Sequence, residues 1–160
     1  MSQYSFAKEI IKLIYNDRNY FLVRNYIKRL GGRDKLSTID EFSKFDNKYP
    51  FWNLFISKKD EVILKILLKY FNSQRDVFRD EWVDTNSILR KTTGYIAFMR
   101  LLKKIALDMG ENLLDYDFSS LMQNINMKHT GKKFDNETYP AGAKGQKKLY
   151  DFIFNVYIKN

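Results

Sequence analysis

The chain has 160 residues, 44% hydrophobic and 16% aromatic, with 28 Lys and Arg against 19 Asp and Glu for a net charge of +9. At that length one ordinary domain hides roughly 70% of the surface its unfolded chain exposes, and this apolar content excludes a disordered tail. The lack of cysteine excludes disulfides, thiolate zinc sites and a cysteine nucleophile, while the basic excess favours polyanionic partners.

The excess is uneven. Residues 1–50 carry 10 basic and 6 acidic side chains, residues 51–120 carry 11 and 10, and residues 121–160 carry 7 and 3. The start, Met1-Ser2-Gln3-Tyr4-Ser5, lacks the basic and apolar regions of a signal peptide, and no run nears the ~18 apolar residues of a membrane span. The expectation is a cytoplasmic protein with no membrane partner.

In chain order, Phe6, Ala7, Ile10, Ile11 and Ile14 predict a helix over Ser5–Tyr15, and Phe21, Val23, Tyr26, Ile27 and Leu30 predict a second, stopped by Gly31-Gly32. From Arg33 to Pro50 the chain reads as a loop around a short helix near Ser37, where Thr38 and Glu41 have capping-box spacing. Ser57 and Asp60 form a second such box. It opens a helix whose Val62, Ile63, Leu64, Ile66, Leu67, Leu68, Tyr70 and Phe71 leave only Glu61, Lys65 and Lys69 as a polar stripe. That near-complete apolar circumference predicts a central helix, running on through Val77 and Phe78 towards Trp82.

Thr85-Asn86-Ser87 predicts the cap of a helix from Ile88 to about Asp108, with Ile88, Tyr95, Phe98, Met99, Leu102, Ile105 and Ala106 inward and Gly110 at its end. Gly94 within it implies a close crossing or a kink. A helix over Asp117–Met127 turns Phe118, Leu121, Met122 and Ile125 inward. His129 to Gly145 form the longest loop, and Gln146–Ile158 form the last helix, with Leu149, Phe152, Ile153, Val156 and Tyr157 on one side. No alternating strand pattern or internal repeat stands out. The expected fold is all-α, a compact bundle-like single domain of six or seven helices, with a basic N-terminal unit over 1–50 and the main core over 51–160.

Candidate chemistry is sparse. His129 is the only histidine and has no second ligand or carboxylate at motif spacing, so neither a catalytic centre nor a metal site is expected, and no cofactor. Asp76, Asp80, Glu81 and Asp84 interleave with Arg75 and Arg79 at helical spacing, which favours local ion pairing. Gly142-Ala143-Lys144-Gly145 followed by Gln146-Lys147-Lys148 is a fragment of a phosphate loop without its Ser or Thr. It reads either as an anion contact at a helix start, through Lys144, Gly145, Lys147 and Lys148, or as a plain solubilising N-terminus. The helix over 88–108 carries Arg90, Lys91, Arg100, Lys103 and Lys104 before its first acid, Asp108. Arg100, Lys103 and Lys104 share the face opposite the buried one, with Arg90 towards its edge. Lys8, Lys12, Arg18, Arg24, Lys28, Arg29, Arg33 and Lys35 form a second basic strip. Such strips suit a sugar-phosphate backbone, or else are solvated helix faces. Most aromatics fall on apolar faces; Tyr139, in the loop, is the exception.

Three segments taken together resemble a known group. Asn53-Leu54-Phe55 leads into the apolar helix that ends near Glu81-Trp82, Ile88-Leu89-Arg90-Lys91-Thr92-Thr93-Gly94-Tyr95 leads into Ala97-Phe98-Met99, and Gly142 to Tyr150 follows. Their order and spacing resemble the C-terminal helical half of proteins with the Asp-Gly-Gln-His-Arg (DGQHR) domain, the DndB-like group associated with DNA phosphorothioate modification and phage defence. The Asp-Gly-Gln-His-Arg signature occurs nowhere in the chain. The resemblance therefore implies a helical relative or fragment without the active centre, and DNA-related biology by analogy. The reading is a non-enzymatic module that binds nucleic acid, DNA foremost, through backbone phosphates. The rival is an interaction domain whose basic surface docks on an acidic protein.

Overall fold

The computed structural model describes residues 3–159; Met1 and Ser2, part of the stretch read for a signal peptide, lie outside the described residues with Asn160. Among the described residues the chain is all-α, eight helices joined by turns and 3-10 segments, with no strand. Helices α1 (Gln3–Ile11) and α2 (Tyr20–Leu30) carry the first two apolar sets, but α1 stops at Ile11, so Ile14 lies beyond it, and Phe21 of the second set is exposed. Between them Asn16 accepts from the Asn19 amide at 3.1 Å and shapes a 3-10 turn. Gly31, at φ 75, ends α2 by donating its N–H to the Ile27 carbonyl, a left-handed cap that favours glycine.

No helix starts at Ser37. Two 3-10 turns, Asp34–Thr38 and Asp40–Phe42, take its place, and the Thr38 hydroxyl donates to the Lys35 carbonyl at 2.9 Å instead of forming a capping box. The Ser57 box is absent too. Ser57 closes α3 (Trp52–Ile56), and α4 (Asp60–Val77) begins beyond Lys58, whose left-handed φ of 58 turns the chain while its ammonium pairs with Asp34 at 2.8 Å. A break at Phe78 separates α4 from α5 (Arg79–Val83).

The centre of the molecule is α6 (Thr92–Met109), not α4. Ten of its residues are buried, whereas Leu64 and Leu68 of α4 are 56% and 52% exposed. An apolar circumference reports hydrophobicity, not the number of neighbours, and α4 packs chiefly against α7 (Phe118–Lys128) while Leu64 and Leu68 stay open to solvent. The Tyr70 hydroxyl donates to the Phe98 carbonyl at 2.6 Å, joining α4 to α6. Helix α6 starts four residues later than expected, because Ser87 accepts from the Leu89 amide inside a turn and the Ile88 amide donates to the Phe134 carbonyl at 2.6 Å. That turn folds back on the first turn of α6. A Cβ on Gly94 would overlap the Ile88 carbonyl, so glycine is needed for a close approach of the chain to itself.

Asp117 caps α7 by accepting from the Ser120 amide at 3.0 Å. Helix α8 (Ala143–Tyr157) then lies along α6, the most extensive helix pairing in the molecule. Two buried clusters result. The larger joins α4, α6, α7 and α8 and includes Leu13 and Phe51, whose backbones bond to each other at 2.9 Å. The smaller consists of Val23, Leu36, Phe42, Tyr49 and Trp52, with Ile14 packed against both. Helix α1 packs on α6, and Trp52 completes the smaller cluster.

Candidate nucleic-acid interface

The outward face of α6 presents Arg100, exposed, and then Lys103 and Lys104, each half-buried. Lys104 is ion-paired with Asp108, which also accepts from the Tyr157 hydroxyl at 2.8 Å. Arg90 does not share this face. It lies in the turn before α6, and its guanidinium donates to the Trp82 carbonyl at 2.9 Å. The expected strip is thus shorter than its sequence spacing suggested.

Lys103 is the unusual member. Its ammonium stands 5.1 Å from the centroid of the Tyr49 ring, and that of Lys48 stands 5.6 Å from the same centroid, so two cations share one quadrupole. Burial first, then the charges of Lys48 and Lys12, hold the Lys103 pKa below the ordinary lysine value. Tyr49 is itself buried, and its hydroxyl has no hydrogen-bond partner among the described residues. Beside Lys103 a hollow of about 290 Å³ lies between α1 and α6, lined by Glu9, Lys12, Arg100, Lys103 and Gln146 over Leu13 and Met99. Glu9 is engaged by Lys12 at 2.5 Å. Lys103 makes no ion pair among the described residues.

Four cations thus converge from three places: Lys12 in the turn just past α1, Lys48 in the turn before Pro50, and Arg100 and Lys103 on α6. Helical periodicity supplied Arg100 and Lys103. Lys12 was visible only as part of a general basic strip, and Lys48 was missed. It sits in an irregular turn, and no sequence signal places it beside α6.

The remaining candidates are scattered. Lys28 and Arg29 are exposed on α2, with the Arg29 guanidinium 4.4 Å from the Tyr26 centroid. Arg33 is withdrawn from the strip: it pairs with Asp60 at 2.6 Å, lies 4.8 Å from the Phe55 centroid, and joins the smaller cluster to α4. The phosphate-loop fragment also needs correction. Helix α8 begins at Ala143, so Gly145 does not precede it; it is buried in the first turn, where a Cβ would overlap the Pro140 carbonyl. Close packing, not anion binding, explains that glycine. Lys147 pairs with Asp151 at 2.5 Å, and Lys148 donates to the Thr138 carbonyl at 2.7 Å while lying over Tyr139. Only Lys144 stays exposed with no described partner.

His129 is 5% exposed. Its ring stacks on Phe134 with centroids 3.7 Å apart, and Nε2 hydrogen-bonds the Tyr139 hydroxyl at 2.8 Å. Burial and Lys132 push its pKa down to about 4. A neutral imidazole enclosed by rings anchors the 129–142 loop, and Tyr139, the loop aromatic set apart from the apolar faces, is buried with it. Arg75 pairs with Asp76 at 3.1 Å, and among the described residues no group of three potential metal-ligand side chains is assembled. No helix among them is long and apolar enough to cross a membrane. Comparison with protein-family models, with curated proteins and with solved structures found no match.

Proposed function

We propose that this chain is a non-catalytic, cytoplasmic helical module that binds nucleic acid through backbone phosphates seated at the hollow between α1 and α6. The observation that carries the reading is Lys103, half-buried among Lys12, Lys48 and Arg100 and without a carboxylate of its own. Holding like charges together costs free energy in the unbound protein, and an anion that accepts from several of them offsets the repulsion. A phosphate meets that need without base contacts, so affinity comes from charge and counterion release. The sequence resemblance to the DndB-like group makes DNA the first polyanion to test, in a DNA-modification or phage-defence setting.

Replacing Lys12, Lys48 and Lys103 together by Ala in a folded protein should weaken binding to duplexes of unrelated sequence by one common factor. Unchanged duplex affinity contradicts the reading. Binding to an acidic protein but to no nucleic acid would replace it with the docking alternative.

A further inference from the structure

A second surface, on α2, carries features that phosphate contacts do not use. Phe21 is 69% exposed, the most open aromatic side chain among the described residues, and Tyr20 beside it is 39% exposed. Their rings meet edge to face at 5.3 Å and 80°. Phe21 has no place in either buried cluster, so packing does not account for it. At helical spacing Phe21, Arg24, Asn25 and Lys28 occupy one face, and all four are exposed. Helix α2 contains no acidic residue.

Tyr20 also lines two hollows. One, of about 550 Å³, is shared with Phe21 and with the Lys8–Asp17 ion pair at 2.8 Å. The other, of about 290 Å³, is rimmed by Arg24 and Lys28 over Val23 and Ile27. Each exceeds the ~150 Å³ that accommodates a benzene ring. Open rings beside Arg24 and Lys28, which make no ion pair among the described residues, suit one class of polyanion better than a duplex, whose bases are already stacked on each other. An unpaired strand has bases free to stack on Phe21 and Tyr20 while its phosphates meet Arg24 and Lys28. An acidic peptide would satisfy the cations but would leave no reason for planar rings.

We infer that the Tyr20–Phe21 face of α2 is a base-stacking site for single-stranded nucleic acid. The inference rests on the nucleic-acid reading above and adds the strand state of the ligand. The test uses three labelled probes of one length: an unpaired oligothymidylate, the same strand with abasic sugars, and a duplex. Phe21→Ala should weaken the oligothymidylate by about 5- to 150-fold, and should leave the abasic strand and the duplex within about twofold. Phe21→Trp should restore the loss. Equal weakening of all three probes, or an unchanged oligothymidylate affinity in folded Phe21→Ala, overturns the inference. The two proposals fail separately. If wild type binds the probes and the Lys12/Lys48/Lys103 variant weakens them while Phe21→Ala changes none, only the stacking site is lost; if wild type binds no probe at low salt, the phosphate reading falls and the stacking site with it.

Discussion

The two buried clusters are held together in different ways. The larger is built mainly on long helices: Leu101, Leu102 and Ile105 of α6 share it with Leu121, Met122 and Ile125 of α7 and Leu149, Ile153 and Val156 of α8, and rings such as Tyr70, Phe98 and Phe118 fill in among these aliphatic side chains. The smaller is dominated by rings, with Phe42, Phe45 and Tyr49 on turns between α2 and α3. Phe42 meets Tyr26, Phe45 and Trp52 at 5.0–5.4 Å, and Phe45 meets Tyr49 and Trp52 at 5.1 and 4.9 Å. Helices satisfy their own backbone and need only a stripe of side chains. Short 3-10 turns do not extend far enough for that, and here the large area and edge-to-face geometry of aromatics fix the chain instead.

That contrast predicts that the two regions separate under mutation. The largest effect is expected for Trp52→Ala, about 3–5 kcal/mol of local stability. Hydrogen exchange should quicken over residues 17–56 while α6 and α8 stay protected, and equal loss in both regions would make the two clusters one cooperative unit. Leu67→Ala, in the larger cluster, should cost roughly 2–5 kcal/mol, read by denaturant unfolding. Leu64→Ala, three residues away on the open side of α4, should fall within about 0.5 kcal/mol, and a cost like that of Leu67 would mean something covers that face.

A smaller, pH-dependent effect belongs to His129. In the unfolded chain it takes a proton near 6.5, and in the folded one only near 4. Its contribution is full above pH 6.5, is lost as pH falls through that window, and levels off below about 4. His129→Phe should remove this part of the acid sensitivity. Identical pH profiles for variant and wild type would show that the ring is not held neutral.

The same contrast sets how much the sequence disclosed. Regular helices announced themselves: the inward residues of α6 and α7 and the stops at Gly31 and Gly110 follow from periodicity and caps. Exposure of Leu64 and Leu68 did not follow, since periodicity cannot say how many sides of a helix are covered. The capping boxes failed at Thr38 and Ser57 because the hydroxyl of one bonded backwards and the other closed an earlier helix. The candidate site divides likewise. Arg100 and Lys103 lie on a legible face, whereas Lys48 reaches them through the ring-packed turn, which only tertiary structure reveals. Gly145 resembled a phosphate-loop glycine and is a packing glycine.

If an anion relieves the unfavourable setting of Lys103, removing its charge should cost affinity and not stability. The direct measurement pairs thermal stability with the salt dependence of duplex affinity for Lys103→Met, which keeps most of the apolar stem and removes the charge. The variant's melting temperature should equal or exceed that of wild type, and its slope of log affinity against log salt should be shallower by ~0.9. An unchanged slope in a folded Lys103→Met protein, or a marked loss of stability, would contradict the anion reading.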